Sequence, residues 1–199
     1  MKKIFVLLGI FSIALTTSCS MENGSITNED KSAVQEIKNE ENVAVQRVMY
    51  NILTPEEKHL LWTQKIDALV NSGKLNVEQV KLLSEVKNNL TIEYFNDSIS
   101  NDKKEIIKIY YMKNFLKKAQ TLFNNEFIYY NFFSINSSKA MARTAPLDDF
   151  TNCGCHRGTI WTCGVISPVS CKIPDNYCRE SNSGCGLWYS YPCDGECRS

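Results

Sequence analysis

Apolar side chains recur every three or four residues through the middle of the chain, which is the period of an amphipathic helix. The first such stripe consists of Val45, Val48, Met49 and Leu53, and it predicts a short helix over residues 44–51. Later stripes comprise Trp62, Ile66 and Leu69; Val80, Leu83, Val86 and Leu90; and Ile107, Tyr111, Phe115, Ala119 and Leu122. The pattern therefore predicts a bundle of about three to five helices over residues 44–135.

Local signals mark where these helices begin and end. Two capping boxes, a capping side chain followed three residues later by Glu or Gln, are formed by Thr54 with Glu57 and by Asn76 with Gln79. The sequence Asn-Ser-Gly at 71–73 supplies a helix stop between them. The aromatic-rich run at 127–133 fits either a helix or a buried strand, and we favour a helix.

The N-terminus has the pattern of an export signal. Lys2 and Lys3 precede an apolar run over residues 4–15, and small residues lead to Cys19. This arrangement resembles a bacterial lipoprotein signal, which implies cleavage after residue 18 and lipidation of Cys19. Ordinary signal-peptide cleavage, with Cys19 removed or left as a spare thiol, is the alternative. Residues 19–43 are polar and are interpreted as a flexible tether, with a possible helical turn near 34–37.

Eight of the nine cysteines lie in the C-terminal part of the chain. They are Cys153, Cys155, Cys163, Cys171, Cys178, Cys185, Cys193 and Cys197. An even number of closely spaced cysteines in an exported chain predicts four disulfides, although eight cysteines allow on the order of a hundred connectivities. Such cross-links, each worth roughly 2–4 kcal/mol, stabilise a unit too small to bury a large core.

The sequence thus predicts a fold of the class α plus small disulfide-rich β. The helical bundle is followed by a linker over residues 136–149 and by a compact, loop-rich, four-disulfide β module over residues 150–199. Short strands are expected at 159–163 and 187–191.

Charge and motifs disfavour several classes of function. The chain has 22 basic and 22 acidic residues, so charge gives no reason to expect a nucleic-acid partner. Cys155 and His156 are ligand-type neighbours, but paired C-x-x-C knuckles are absent and disulfides are favoured over zinc. Without a recognisable catalytic motif, we expect no enzyme activity, no cofactor and no metal.

Aromatic residues crowd the cysteine-rich part, which contains Trp161, Tyr177, Trp188, Tyr189 and Tyr191. Two or three of them could form a miniature core beside the disulfides. The others would then be exposed, where such side chains anchor a protein, a glycan or a membrane interface. Trp161, Trp188, Tyr189 and Tyr191 are the candidate binding residues.

The C-terminal part resembles fulvocin C, a small cysteine-rich bacteriocin, and the whole layout resembles the fulvocin C-related proteins. The resemblance is carried by Asn152-Cys153-Gly154-Cys155, by Gly184-Cys185-Gly186, and by Trp188 and Tyr189 ahead of Cys193. It implies eight paired cysteines and an antibacterial role.

The functional hypothesis is accordingly an exported, bacteriocin-like lipoprotein with an antibacterial C-terminal effector. Its partners would be the envelope of a target bacterium or a surface receptor, and a membrane through the lipid anchor. The protein would be anchored to the outer or cell membrane, exposed at the surface or released by cleavage. The alternative is a non-toxic surface module that binds a protein or a glycan.

Overall fold

The computed structural model describes residues 28–96, 103, 106, 107, 110–136, 153–157, 163, 170–174 and 178–198. The signal sequence, Cys19, Trp161, Tyr177 and nearly all of the predicted linker lie outside these residues. The α-helices with defined bounds among the described residues are α1 (Asn28–Asn39), α2 (Val43–Ile52), α3 (Pro55–Val70), α4 (Val77–Asn89), α5 (Leu116–Leu122) and α6 (Asn125–Phe132). A 3₁₀ turn at Ile92–Phe95 follows α4, and a π-helical turn at Tyr111–Phe115 leads into α5.

We call the C-terminal part, residues 150–199, the tail; among its described residues, four short strands form two antiparallel pairs. They are β1 (Ser170–Lys172), β2 (Ser181–Cys185), β3 (Tyr191–Cys193) and β4 (Glu196–Arg198). β1 pairs with β4, with Cys171 opposite Cys197, and β2 pairs with β3, with Cys185 opposite Tyr191. The predicted fold class, helices followed by a small disulfide-rich β unit, is confirmed.

The predicted helix ends are confirmed by hydrogen bonds. The Thr54 hydroxyl accepts from the Glu57 N–H at 3.2 Å, and the Glu57 carboxylate accepts from the Thr54 N–H at 2.7 Å. Asn76 and Gln79 form the same reciprocal pair, both at 3.0 Å. Beyond α3, Gly73 has a φ of +69°, a conformation that glycine adopts at little cost.

The predicted apolar face of α2 is confirmed for Met49 and Leu53, which pack in the core, and is wrong for Val45 and Val48. Val45 and Val48 are 41% and 54% exposed, whereas Gln46 and Tyr50 are buried. Gln46 can be buried because its side-chain amide donates to the carbonyls of Ile37 and Glu40, at 3.1 and 2.8 Å. The buried face of α2 is therefore partly polar, and an apolar count cannot find it.

The prediction of a flexible tether over residues 19–43 needs correction for its second half. Residues 28–39 form α1, and Val34 and Ile37 are buried in the same core as the other helices. Only the suggested helical turn near residues 34–37 anticipated this packing. Among the described residues, no helix has both the length and the apolar character needed to cross a bilayer.

One apolar core joins the helices to the tail. Leu187, Trp188, Tyr189 and Tyr191 belong to the same buried cluster as the inward-facing residues of the bundle. Asn136, the first residue of the predicted linker, is also buried, and its side-chain amide donates to the Glu40 carbonyl at 3.1 Å. The predicted boundary therefore does not separate two independent cores.

Candidate functional site

All eight cysteines of the tail are paired, as predicted. The bridges are Cys153–Cys178, Cys155–Cys171, Cys163–Cys197 and Cys185–Cys193. Their Cα–Cα distances of 5.1 to 5.8 Å are ordinary for disulfides. The sulfurs of Cys155, Cys163 and Cys171 lie within 4.8 Å of one another, but each is already bonded to another sulfur. This cluster is two disulfides in contact, because a metal would require free thiolates.

The candidate functional site is the loop between β2 and β3, residues 186–190, which we call the aromatic loop. The disulfide between Cys185 and Cys193 closes it across a sequence separation of 8. Trp188 and Tyr189 both have positive φ, at 50° and 53°. A left-handed conformation costs a non-glycine residue roughly 1–2 kcal/mol, so two adjacent aromatic residues in this state must be held there by their surroundings.

The prediction of a strand over residues 187–191 is wrong for its first part. Leu187–Tyr189 forms a 3₁₀ turn, and the strand begins at Tyr191. The aromatic composition favours a strand by propensity, but their positive φ excludes Trp188 and Tyr189 from the ladder. Of the other predicted strand, 159–163, only Cys163 is described, and it lies in a turn.

Trp188 packs against a cluster of aromatic rings of the helical part. This cluster, which Tyr189 also contacts, is called the socket. Its ring lies 4.7 Å from that of Tyr111, 5.2 Å from Phe115 and 5.8 Å from Tyr94, measured between centroids. The contacts with Tyr111 and Tyr94 are edge-to-face, and the contact with Phe115 is stacked. These are favourable ring arrangements, and they leave Trp188 with 0% exposure.

Tyr189 completes the other side of the socket. Its ring centroid lies 5.4 Å from that of Tyr50 and 6.0 Å from that of Trp62, and both contacts are edge-to-face. Burial raises the pKa of Tyr189, and the nearby Arg47 guanidinium opposes that rise. We define the socket as Tyr50, Trp62, Tyr94, Tyr111 and Phe115.

Hydrogen bonds fix the backbone of the loop in the socket. The Tyr50 hydroxyl donates to the Trp188 carbonyl at 2.9 Å, and it accepts from the Trp62 indole N–H at 3.3 Å. The hydroxyls of Tyr94 and Ser190 lie 2.5 Å apart. On the adjacent strand, the Ser183 hydroxyl donates to the Asn51 side-chain carbonyl at 2.5 Å.

A buried lysine holds the end of the bundle beside the socket. The Lys65 ammonium donates to the carbonyls of Tyr130, Ser134 and Ile135, at 2.6, 2.6 and 3.0 Å. It also lies 5.6 Å from the centroid of the Trp62 ring, a cation–π distance. Burial and, to a lesser extent, the charge of Lys38 together lower the pKa of Lys65 to about 7. Lys65 thereby ties the chain after α6 to the helix that carries Trp62.

Three of the four candidate binding residues are buried. The exposures of Trp188, Tyr189 and Tyr191 are 0%, 3% and 9%, so the prediction that they present a binding surface does not hold in this structure. They are buried because the helical core has a space that they fill, a non-local fact that the sequence of the tail does not contain. Trp161 lies outside the described residues.

Tyr191 occupies the edge of this site rather than the socket. Its ring stacks on that of His156 with centroids 5.3 Å apart, and the His156 ring nitrogen Nδ1 lies 3.2 Å from the Asp194 carboxylate.

Of the socket residues, Tyr50 and Tyr94 were absent from every predicted stripe. Their hydroxyl groups gave no sign of burial, and only an aromatic content of 11% hinted at a large aromatic cluster.

Comparison with protein-family models, curated proteins and solved structures finds no match to this chain. Its function is therefore proposed from its own residues, from their contacts and from the resemblance that its cysteine and aromatic pattern carries.

Proposed function

We propose that the chain is an exported, bacteriocin-like lipoprotein whose cysteine-rich tail is an antibacterial effector. The observation that supports this most directly is the pairing of all eight tail cysteines within the tail itself. Such pairing is typical of small proteins that act outside the cytoplasm. The cysteine and aromatic pattern that resembles fulvocin C adds the antibacterial role.

The proposal includes export and anchoring. Residues 1–18 would direct export, and Cys19 would carry lipid that holds the protein on the outer or cell membrane. The effector would then meet the envelope of a target bacterium or a receptor on its surface. The mass of the mature protein, purified from its native membrane, tests this part. A mass that corresponds to a chain beginning at an unmodified residue other than Cys19 contradicts lipidation.

Growth inhibition tests the effector role. Purified oxidised protein from residue 20 onward is applied to a panel of related strains, both intact and after cleavage at a protease site inserted between Thr144 and Ala145. The control is the same protein reduced and alkylated. The proposal predicts that an oxidised form inhibits growth and that the alkylated form does not. Equal inactivity of every form across the panel contradicts it.

A second candidate, a non-toxic surface module that binds a protein or a glycan, is favoured by the shared core. Because the tail and the helices pack together through Trp188, they form a single folded unit. Such a unit suits a module that is displayed intact on a cell surface. This function predicts saturable binding to cell-wall polysaccharide or to a surface protein, without loss of viability. The two candidates are thus separated by measuring viability and binding on the same cells.

A further inference from the structure

The tail is attached to the helical part by packing and by the main chain, without a covalent cross-link. No cysteine occurs between Cys19 and Cys153 in the sequence, and the four disulfides join tail residues to one another. The tail is therefore a covalently closed unit that can leave the helices without breaking a disulfide.

The aromatic loop is the apolar part of the tail that the helices cover. Leu187 and Trp188 have 0% exposure and Tyr189 has 3%, and the partners of the two aromatic rings lie on α2, α3, the 3₁₀ turn and the π-helical turn. Removal of the helices would expose three adjacent large apolar side chains on a loop that Cys185–Cys193 keeps closed. Exposed clusters of this kind bind membranes or other proteins.

The socket buries the aromatic rings of the loop, but hydrogen bonding there is incomplete within the described part of the chain. The Trp188 indole N–H and the Tyr111 hydroxyl are buried and find no hydrogen-bond partner among the described residues. Trp188 and Tyr189 also remain in the left-handed region. Separation would let the polar groups reach water and let the loop relax, so both features favour a loop that can leave its socket.

From these observations we propose that the helical part, residues 28–136, sequesters the aromatic loop and thereby keeps the tail inactive until the two parts separate. The inference rests on the proposed effector function, because it assigns a regulator to that effector. The helices would act as an inhibitor carried within the same chain. The partner that fits the socket is correspondingly a disulfide-closed loop with two adjacent aromatic residues.

The first measurement asks whether packing alone retains the tail. Protein with the protease site between Thr144 and Ala145 is folded, oxidised, cut and passed over a size-exclusion column. We expect the two fragments to elute together. Separate elution of the fragments of the otherwise unaltered protein would overturn the proposal.

Variants in the socket then weaken retention without altering the tail. Tyr111→Ala and Phe115→Ala remove rings that contact Trp188, and Phe127→Ala is the control, since its ring contacts are with Phe123 and Phe132. We expect retention to weaken about tenfold or more in the socket variants and to stay unchanged in the control. The milder Tyr50→Phe keeps the ring and removes the hydroxyl that donates to the Trp188 carbonyl and accepts from the Trp62 indole, and it serves if the alanine variants do not fold.

Growth inhibition by the same samples separates the inference from the proposed function. We expect the cut socket variants to inhibit growth at a concentration about tenfold lower than the uncut protein, in line with their weaker retention. If the uncut protein and the cut variants inhibit equally, the tail is an effector and the helices do not mask it. If no sample inhibits growth, the effector function itself is overturned, and with it the masking.

Discussion

The hydroxyl of Tyr50 on α2 donates a hydrogen bond to the main-chain carbonyl of Trp188, 138 positions further along the chain, at 2.9 Å. The same hydroxyl accepts from the indole of Trp62. One buried oxygen thus connects two helices to the tail. Because the Trp188 carbonyl belongs to a turn with positive φ, this bond helps to hold a backbone conformation that would otherwise be unfavourable.

Replacement of Tyr50 by Phe keeps the ring and removes this connection. We expect the free energy of unfolding to fall by about 1–3 kcal/mol, since the Trp188 carbonyl and the Trp62 indole lose a buried partner. The measurement is a urea titration at fixed pH. Tyr110→Phe, at a half-exposed position on the surface of the bundle, is the matched control, and a similar loss in both variants would contradict this role of Tyr50.

Replacement of Trp188 by Ala should destabilise the helices as well as the tail. A buried tryptophan lost to alanine costs about 3–5 kcal/mol, because the socket cannot collapse fully around the space left behind. Helical circular dichroism and near-ultraviolet signals should therefore shift together in thermal unfolding. An unchanged melting temperature of the helical signal would show that the bundle does not depend on Trp188; Ile173→Ala, at an exposed position, is the control.

Two glycines with the same φ separate backbone strain from steric collision. Gly73 and Gly186 both have φ of +69°, but a Cβ at 186 would lie 2.7 Å from the Tyr191 ring, whereas a Cβ at 73 meets nothing within 4 Å. Gly73→Ala should cost about 1 kcal/mol from strain alone. Gly186→Ala should cost clearly more, because the Tyr191 ring must also move. Equal losses in denaturant titrations would show that the loop adapts freely.

Lys65 should make stability depend on pH above neutrality. Its pKa is about 7 in the folded protein and about 10.5 in the unfolded chain, so between these values the unfolded state binds more protons. Stability should therefore rise with pH over this range, on the order of 3 kcal/mol between about pH 7 and 9.5. Burial lowers the pKa of Lys38 as well, and its contribution has the same sign.

Denaturant titrations of the wild-type chain and of Lys65→Met test this dependence. The variant should lose most of the rise with pH, although it leaves three carbonyls without their donor. Above about pH 10 the trend should reverse, because burial raises the pKa of Tyr94 and Tyr189 and the unfolded chain then releases protons first. An equal rise in both proteins would assign the effect to groups other than Lys65.

Local features of the fold were predictable from sequence, whereas the packing between distant segments was not. Thr54 with Glu57 and Asn76 with Gln79 were found because a capping box involves residues only three positions apart. The pairing of the cysteines in an oxidised tail was found from their number and spacing, but their connectivity depends on the folded chain. A capping box can be predicted from residues that are close in the sequence, and the pairing of the cysteines can be predicted from their number.

Trp188 and Tyr189 were named as candidate residues from the sequence, but the socket that buries them was missed because its parts are far apart in the chain. The sequence of the tail shows that Trp188 and Tyr189 are aromatic, but the space that receives them is formed by Tyr50, Tyr94 and Tyr111. On α2, Val45 and Val48 were expected inside together with Met49 and Leu53 because all four are apolar, whereas Gln46 is buried in place of the valines through hydrogen bonds to the end of α1. Both errors have one cause: which side chains of a helix are buried depends on its contacts with segments that are distant in the sequence.

Trp188 is synthesised after every helix whose side chains surround it. A chain that ends before Trp188 lacks the ring that packs against Tyr111 and Phe115. We expect such a shortened chain to leave these apolar rings without their buried partner and to be cut by proteases more readily than the full-length protein.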